Sequence, residues 1–182
     1  MEQLHNVKVF TSIDASNLTE EQKKQAIGSL IFLKEKRDGR IKGRACANGS
    51  TQRTLCAKED AASPTVSVEA VLMSCVIDAK EKRHVATTDI PGAFLHADMN
   101  DFVIMKIEGR LAELMVDVDR NVYSKYLTRD GRGKALLYVV LKKALYGCLR
   151  SALLFYETLT KDLKAYGFSI NPYNPCVASM DI

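Results

Sequence analysis

The sequence predicts a mixed α+β fold carrying a β-hairpin in its N-terminal half, and three observations lead there. Asp38-Gly39 lies between two extended runs, a strong signal for a tight hairpin turn. Apolar residues recur at helical spacing at Val68, Val71, Leu72, Cys75 and Val76, and again at Leu153, Leu154, Phe155, Leu159 and Leu163. Between and around these segments stand short β-branched or apolar runs, RHVATTD (83–89), FVIMKIEG (102–109) and the start of ALLYVVLKKALYG (135–147).

The elements follow in order along the chain. LTEEQKKQAIGSL (18–30) opens with Thr19 followed by acids and then lysines, the order that a helix N-terminus and its dipole favour, and reads as a short helix. After the hairpin and a polar connection, Ser63-Pro64 marks the approach to a helix with one buried face. The strand 83–89 ends on Asp89, and Pro91-Gly92 then turns the chain. Residues 117–134 are polar, with a turn at Asp130-Gly131 and Gly133. SALLFYETLTKDLKAYGF is a helix stopped by Gly167, and an extended segment from Ser169 follows.

Composition bounds the class. In 182 residues, 47% are hydrophobic and 26% charged, as in an ordinary globular domain. The longest apolar runs fall far short of the roughly 18 residues of a membrane span, and the first residues carry no basic start or apolar core of a signal peptide, so an intracellular location is expected. Cys46, Cys56, Cys75, Cys148 and Cys176 are scattered singly, which speaks against a zinc site or a disulfide framework. His5, His84 and His96 show no ligand spacing. KEKRDGRIKGR (34–44) holds six basic and two acidic residues, so this one segment carries the whole net charge of +4.

Three constellations could carry chemistry, each beside a structural reading. Asp89 ends a strand before a bend, where sites are often built, or it caps the turn at Ile90-Pro91. Arg40, Lys42 and Arg44 are expected to project together from the second hairpin arm, which suits phosphate or a nucleic-acid backbone and equally suits a solubilising edge. In LKKALYGCLRSALLFY, lysines, a glycine bend and Arg150 at a helix start could hold an anion, or could be the solvated face of an amphipathic helix.

The blocks VATTDIPGAFLHADM, VIMKIEG and LYVVLKKALYGCLRSALLFYETLTKDLKAYGFSINPYNPCVA, in that order, resemble the polymerase region of copia-type retrotransposon reverse transcriptases. GRIKGRACANGSTQR and SPTVSVEAVLMSCVIDA resemble the segments preceding it. The resemblance implies a right-hand polymerase with fingers and a palm of antiparallel sheet and packed helices: an N-terminal extension over 1–17, a fingers-like segment over 18–83 and a partial palm over 84–182. It implies RNA-directed DNA synthesis by two-metal nucleotidyl transfer, with Mg²⁺ or Mn²⁺ as cofactor and a primer–template of RNA or DNA and deoxynucleoside triphosphates as partners. Asp89 matches the first catalytic, metal-ligating aspartate. Lys42, Arg44, Ile90, Phe94, Tyr146 and Gly147 match nucleotide-binding positions, with Phe94 as a steric gate beneath the sugar and Lys34 as a further basic candidate. Arg40 and Arg150 match template or primer contacts.

The chain departs from the pattern at Ala152, where the family often has proline, and in its final residues, which stop short of the family's Asp-Asp hairpin. Asp181 lacks that paired context and is not assigned as a ligand. The isolated chain is therefore expected to be inactive as a polymerase. The alternative is a non-enzymatic nucleic-acid-binding relic that uses the basic hairpin.

Overall fold

The computed structural model describes residues 1–54 and 61–181. The first half contains helix α1 (Glu2–Asn6), strand β1 (Phe10–Ser12), helix α2 (Glu20–Gln25), the hairpin strands β2 (Ile27–Glu35) and β3 (Ile41–Asn48), and helix α3 (Val68–Glu81). The second half contains β4 (Ile104–Glu108), α4 (Arg110–Val118), α5 (Arg120–Tyr123), β5 (Thr128–Arg129), β6 (Ala135–Leu141), α6 (Ser151–Ala165), β7 (Ser169–Ile170) and β8 (Ala178–Ser179).

β6 organises the sheet because its sequence, ALLYVVL, is apolar on both faces and can be covered on both. β4 pairs antiparallel along one edge of it (Met105↔Val139), and β1 (Phe10↔Leu141) and β5 (Thr128↔Leu136) share the other. The start of β2 then pairs with β4 in parallel (Ile27↔Met105), giving the order β1-β6-β4-β2-β3. The sheet is thus mixed rather than antiparallel throughout. A parallel pair needs a long crossover, and the chain between β2 and β4 supplies one.

The hairpin forms as the Asp38-Gly39 signal predicts, with Gly39 at φ +76 and the Lys36 amide 2.8 Å from the Arg40 carbonyl. Only Ile27 and Gly28 pair with β4, so the arms beyond them run out from the sheet as a two-stranded ribbon. α2 is shorter than the 18–30 reading. Thr19 and Gln22 close a capping box, but the helix stops at Gln25. From Ile27 onward the chain is claimed by pairing with β4 (Ile27) and β3 (Gly28 onward), which suits β-branched Ile27 and Ile31 better than a helix does.

One face of the sheet packs Met105, Ile107, Leu137, Val139 and Leu141 against Val9, Ala112 and Met115. The other face sets Ile104 and Tyr138 against Leu18 and Ala26. A third cluster, Ala97, Ala144 and Leu154, seats the 93–96 turn on α6. Residues 1–12 belong to this body, since Leu4, Val9 and Phe10 are buried and β1 is a strand of the sheet. α6 ends in a Schellman pattern, with Phe168 N–H to Leu163 C=O and Gly167 N–H to Lys164 C=O both at 3.0 Å. Ala152 lies in its first turn, where alanine is as compatible with a helix as the expected proline.

Two further expectations are corrected. Residues 83–89 form no strand and are exposed, because no neighbouring strand among the described residues offers them hydrogen bonds. α3 forms, capped by the Ser67 hydroxyl and closed at Lys82 with φ +54, yet buries none of its residues. Val68, Val71, Leu72 and Val76 face solvent. Helical spacing decides which residues share a face, while burial needs a second surface, and none packs on this one among the described residues. Cys46 and Cys148 are buried and Cys75 and Cys176 exposed; Cys56 lies outside the described residues. No helix among the described residues is long and apolar enough to cross a membrane.

Candidate functional site

Three distant segments meet around a groove of about 520 Å³: β3 contributes Lys42 and Arg44, the turn after residue 88 contributes Asp89, Ile90 and Phe94, and the bend after β6 contributes Tyr146. Each is held by its own local chemistry. Pro91-Gly92, with Gly92 at φ +64, starts a turn in which the Leu95 amide donates to the Gly92 carbonyl at 2.7 Å. The His96 Nε2 atom lies 3.2 Å from the Pro91 carbonyl oxygen. The far end of the turn is tied to the strand exit by Ala144 N–H to Ala97 C=O at 2.9 Å and by the Lys143–Asp98 ion pair at 2.7 Å.

The bend at 144–151 is fixed more tightly. Ala47 N–H donates to the Tyr146 carbonyl at 2.7 Å and Gly49 N–H to the Gly147 carbonyl at 3.1 Å, which continues β3 onto the bend. Gly147 has φ +94, and a Cβ there would overlap the Ala47 carbonyl oxygen, so both the backbone angle and the close approach require glycine. The buried Ser151 hydroxyl donates to the Leu145 carbonyl at 2.7 Å, and the Gln52 side-chain oxygen accepts from Leu149 N–H at 3.0 Å. Burial among these groups pushes the Cys148 thiol up to about 11, making it a packed, inert side chain.

An aromatic stack crosses the groove wall. The Phe94 and Tyr146 rings are stacked with centroids 5.5 Å apart, Phe155 of α6 meets Phe94 edge-on at 6.2 Å, and the Arg44 guanidinium lies 4.9 Å from the Tyr146 ring centre. Cationic groups, a carboxylate and an aromatic wall in one cleft suit a ligand with an anionic end and a flat ring or sugar.

Of the residues singled out in the sequence, Lys42, Arg44, Asp89, Ile90, Phe94 and Tyr146 line this groove. Gly147 lines a smaller one of about 290 Å³ with Leu30, Phe32, Cys46 and Arg53, and Tyr146 borders both. Lys34 stands opposite Lys42 in the hairpin register. Arg40 does not join the stripe: it precedes β3, and its guanidinium binds Asp38 at 2.6 Å in the turn. Arg150 is occupied by both oxygens of Asp101, at 2.8 and 2.9 Å. Met1, Gln3 and Leu4 of the N-terminal segment also line the main groove, a contribution that nothing in their sequence signals.

Asp89 is the one carboxylate of the main groove, and no group of three His, Cys, Asp or Glu that could hold a metal occurs among the described residues. One hard oxygen donor fits a single divalent cation shared with a ligand's phosphates, since Mg²⁺ commonly takes one or two carboxylates plus phosphate and water. It does not fit two cations held by protein alone. Asp181 lies outside the groove lining.

Residues 16–177 match the family described as reverse transcriptase (RNA-dependent DNA polymerase). The chain is 26% identical over 157 residues to the Transposon Ty1-BL Gag-Pol polyprotein of Saccharomyces cerevisiae (strain ATCC 204508 / S288c), an alignment covering 86% of this chain and 8% of the polyprotein. No solved structure matches.

Proposed function

This chain belongs to the reverse transcriptase (RNA-dependent DNA polymerase) family, and we propose that its main groove receives the incoming deoxynucleoside triphosphate of a copia-type retrotransposon polymerase. The convergence of Lys42, Arg44, Asp89, Phe94 and Tyr146 from three segments onto one groove carries the reading. Residues 18–83 act as fingers and 84–182 as part of a palm. Lys42 and Arg44 bind the triphosphate, Arg44 through its fork and Lys42 as a point charge. Asp89 and the backbone at Ile90 lie where the phosphates and a bound cation meet. A divalent cation there supplies charge neutralisation for phosphoryl transfer. Phe94 packs under the sugar and leaves no space for a 2′-hydroxyl, while Tyr146 and Gly147 border the base. Arg150 contacts template or primer by exchanging Asp101 for phosphate, whereas Arg40 stays held by Asp38 at the edge of that contact and adds little to it.

With one carboxylate in the groove, the isolated chain binds nucleotide but does not extend a primer. The test is calorimetric titration with dATP and Mg²⁺, set beside a primer-extension assay. Replacing both Lys42 and Arg44 by alanine should weaken dATP binding about tenfold or more, the scale of losing charge-assisted contacts. Unchanged affinity in that double variant refutes the nucleotide groove. Salt-dependent primer–template binding that survives Asp89→Ala, in a chain that does not bind dATP, selects instead the non-enzymatic nucleic-acid-binding reading. Extension abolished by Asp89→Ala would show the isolated chain to be an active polymerase.

A further inference from the structure

We infer that Tyr146 is the positioning residue of the groove, its ring holding both the Phe94 gate and the Arg44 guanidinium, so that discrimination between deoxy- and ribonucleotides depends on Tyr146 as well as on Phe94. The inference rests on the nucleotide reading above and deepens it. Phe94 sits on a four-residue 3₁₀ turn, Ala93–His96, which by itself gives an aromatic side chain little constraint. Its aromatic neighbours are Tyr146, stacked at 5.5 Å with planes 24° apart, and Phe155, edge-on at 6.2 Å, while its other side rests on the Ala97, Ala144 and Leu154 cluster and leaves the Tyr146 ring as the contact on the groove side. Tyr146 belongs to the locked part of the site: its own carbonyl is tied to Ala47, the next residue's to Gly49, and the preceding one to Ser151. Rigidity therefore passes from the bend through the Tyr146 ring to Phe94.

The same ring serves Arg44. No carboxylate among the described residues forms an ion pair with that guanidinium, and the Tyr146 ring, 4.9 Å away, is what holds it. A triphosphate-binding cation and a sugar gate thus lean on one side chain from a third segment. Without that ring, Phe94 gains rotational freedom and the space beside it can accept a 2′-hydroxyl. Arg44 loses its support as well, which weakens deoxy- and ribonucleotides alike.

The experiment titrates the chain and its variants with dATP and with ATP in Mg²⁺, reading the ratio of the two affinities. The native chain should prefer dATP. Phe94→Ala and Tyr146→Leu should each cut that preference about three- to tenfold, the range set by one aromatic contact, whereas Tyr146→Phe should keep it. Tyr146 is half exposed, so the two Tyr146 variants should retain the native urea midpoint. Arg44→Gln should weaken both nucleotides and leave the ratio unmoved. If Tyr146→Leu keeps the native ratio while Phe94→Ala loses it, the positioning role is wrong and the groove reading stands. Loss of the ratio in Tyr146→Phe would assign the effect to the hydroxyl and also overturn the inference. A native chain with no preference, or one unaffected by Phe94→Ala, removes the gate assignment and the inference with it.

Discussion

Gly147 shows how much of the groove depends on one backbone position. The β3 edge approaches the bend so closely that Gly147 at φ +94 faces the Ala47 carbonyl with no room for a Cβ. Gly147→Ala should therefore cost at least about 2 kcal/mol in a urea melt, combining left-handed strain with a backbone overlap. A loss under about 0.5 kcal/mol would mean that the bend relaxes freely. The next residue, Cys148, permits a pH argument. Its thiol is raised to about 11 by burial, so the folded state favours the protonated form. Stability from that preference is complete below the ordinary thiol pKa near 9, then falls as pH rises towards 11, by about 2–3 kcal/mol at most. Cys148→Ala should flatten that alkaline decline. At neutral pH, of the four described thiols, Cys75 and Cys176 should react with a thiol reagent before unfolding, and Cys46 and Cys148 only after it. Prompt labelling of Cys148 would contradict its burial.

At the scale of elements, local rules were legible where they were self-contained. The Asp38-Gly39 turn, the Thr19 cap and the Gly167 stop all appear as their residues predict, because each depends on neighbours within a few positions. The strand at 83–89 and the buried face of α3 were misread because both need a partner from elsewhere in the chain, which periodicity does not report. α4 carries helical spacing at Leu111, Leu114, Met115 and Val118 yet was not among the expected elements, and α1 offers no signal of its place beside the groove. The exposure of α3 has a direct consequence. Leu72→Glu and Val76→Glu should each change stability by no more than about 0.5 kcal/mol, as at an ordinary surface position. Losses of 2 kcal/mol or more, the scale of disrupting a core position, would mean that α3 packs on the body in solution.

For the whole molecule, the groove was legible as chemistry but not as geometry. The resemblance named Lys42, Arg44, Asp89, Phe94 and Tyr146 individually, while only the folded chain brings them together and withdraws Arg40 and Arg150 into ion pairs. That withdrawal divides the net charge of +4, all of it encoded in residues 34–44, into spent and available cations. Arg40 is neutralised by Asp38. Lys34 and Lys42 are paired across the hairpin, and Arg44 shares their face by the two-residue alternation of β3. If the hairpin binds a nucleic-acid backbone, these three should release counterions and Arg40 should contribute little. Binding to a primer–template duplex, followed by fluorescence anisotropy from low to moderate salt, should weaken linearly on logarithmic axes. Replacing Lys34, Lys42 and Arg44 by glutamine should reduce the slope by about two to three, at roughly 0.7–0.9 per phosphate contact. Arg40→Gln should reduce it by less than about half of one contact. Equal effects from Arg40 and from each of the other three would show that the Asp38 ion pair opens on binding, and a slope indifferent to the triple replacement would remove the hairpin from the nucleic-acid surface.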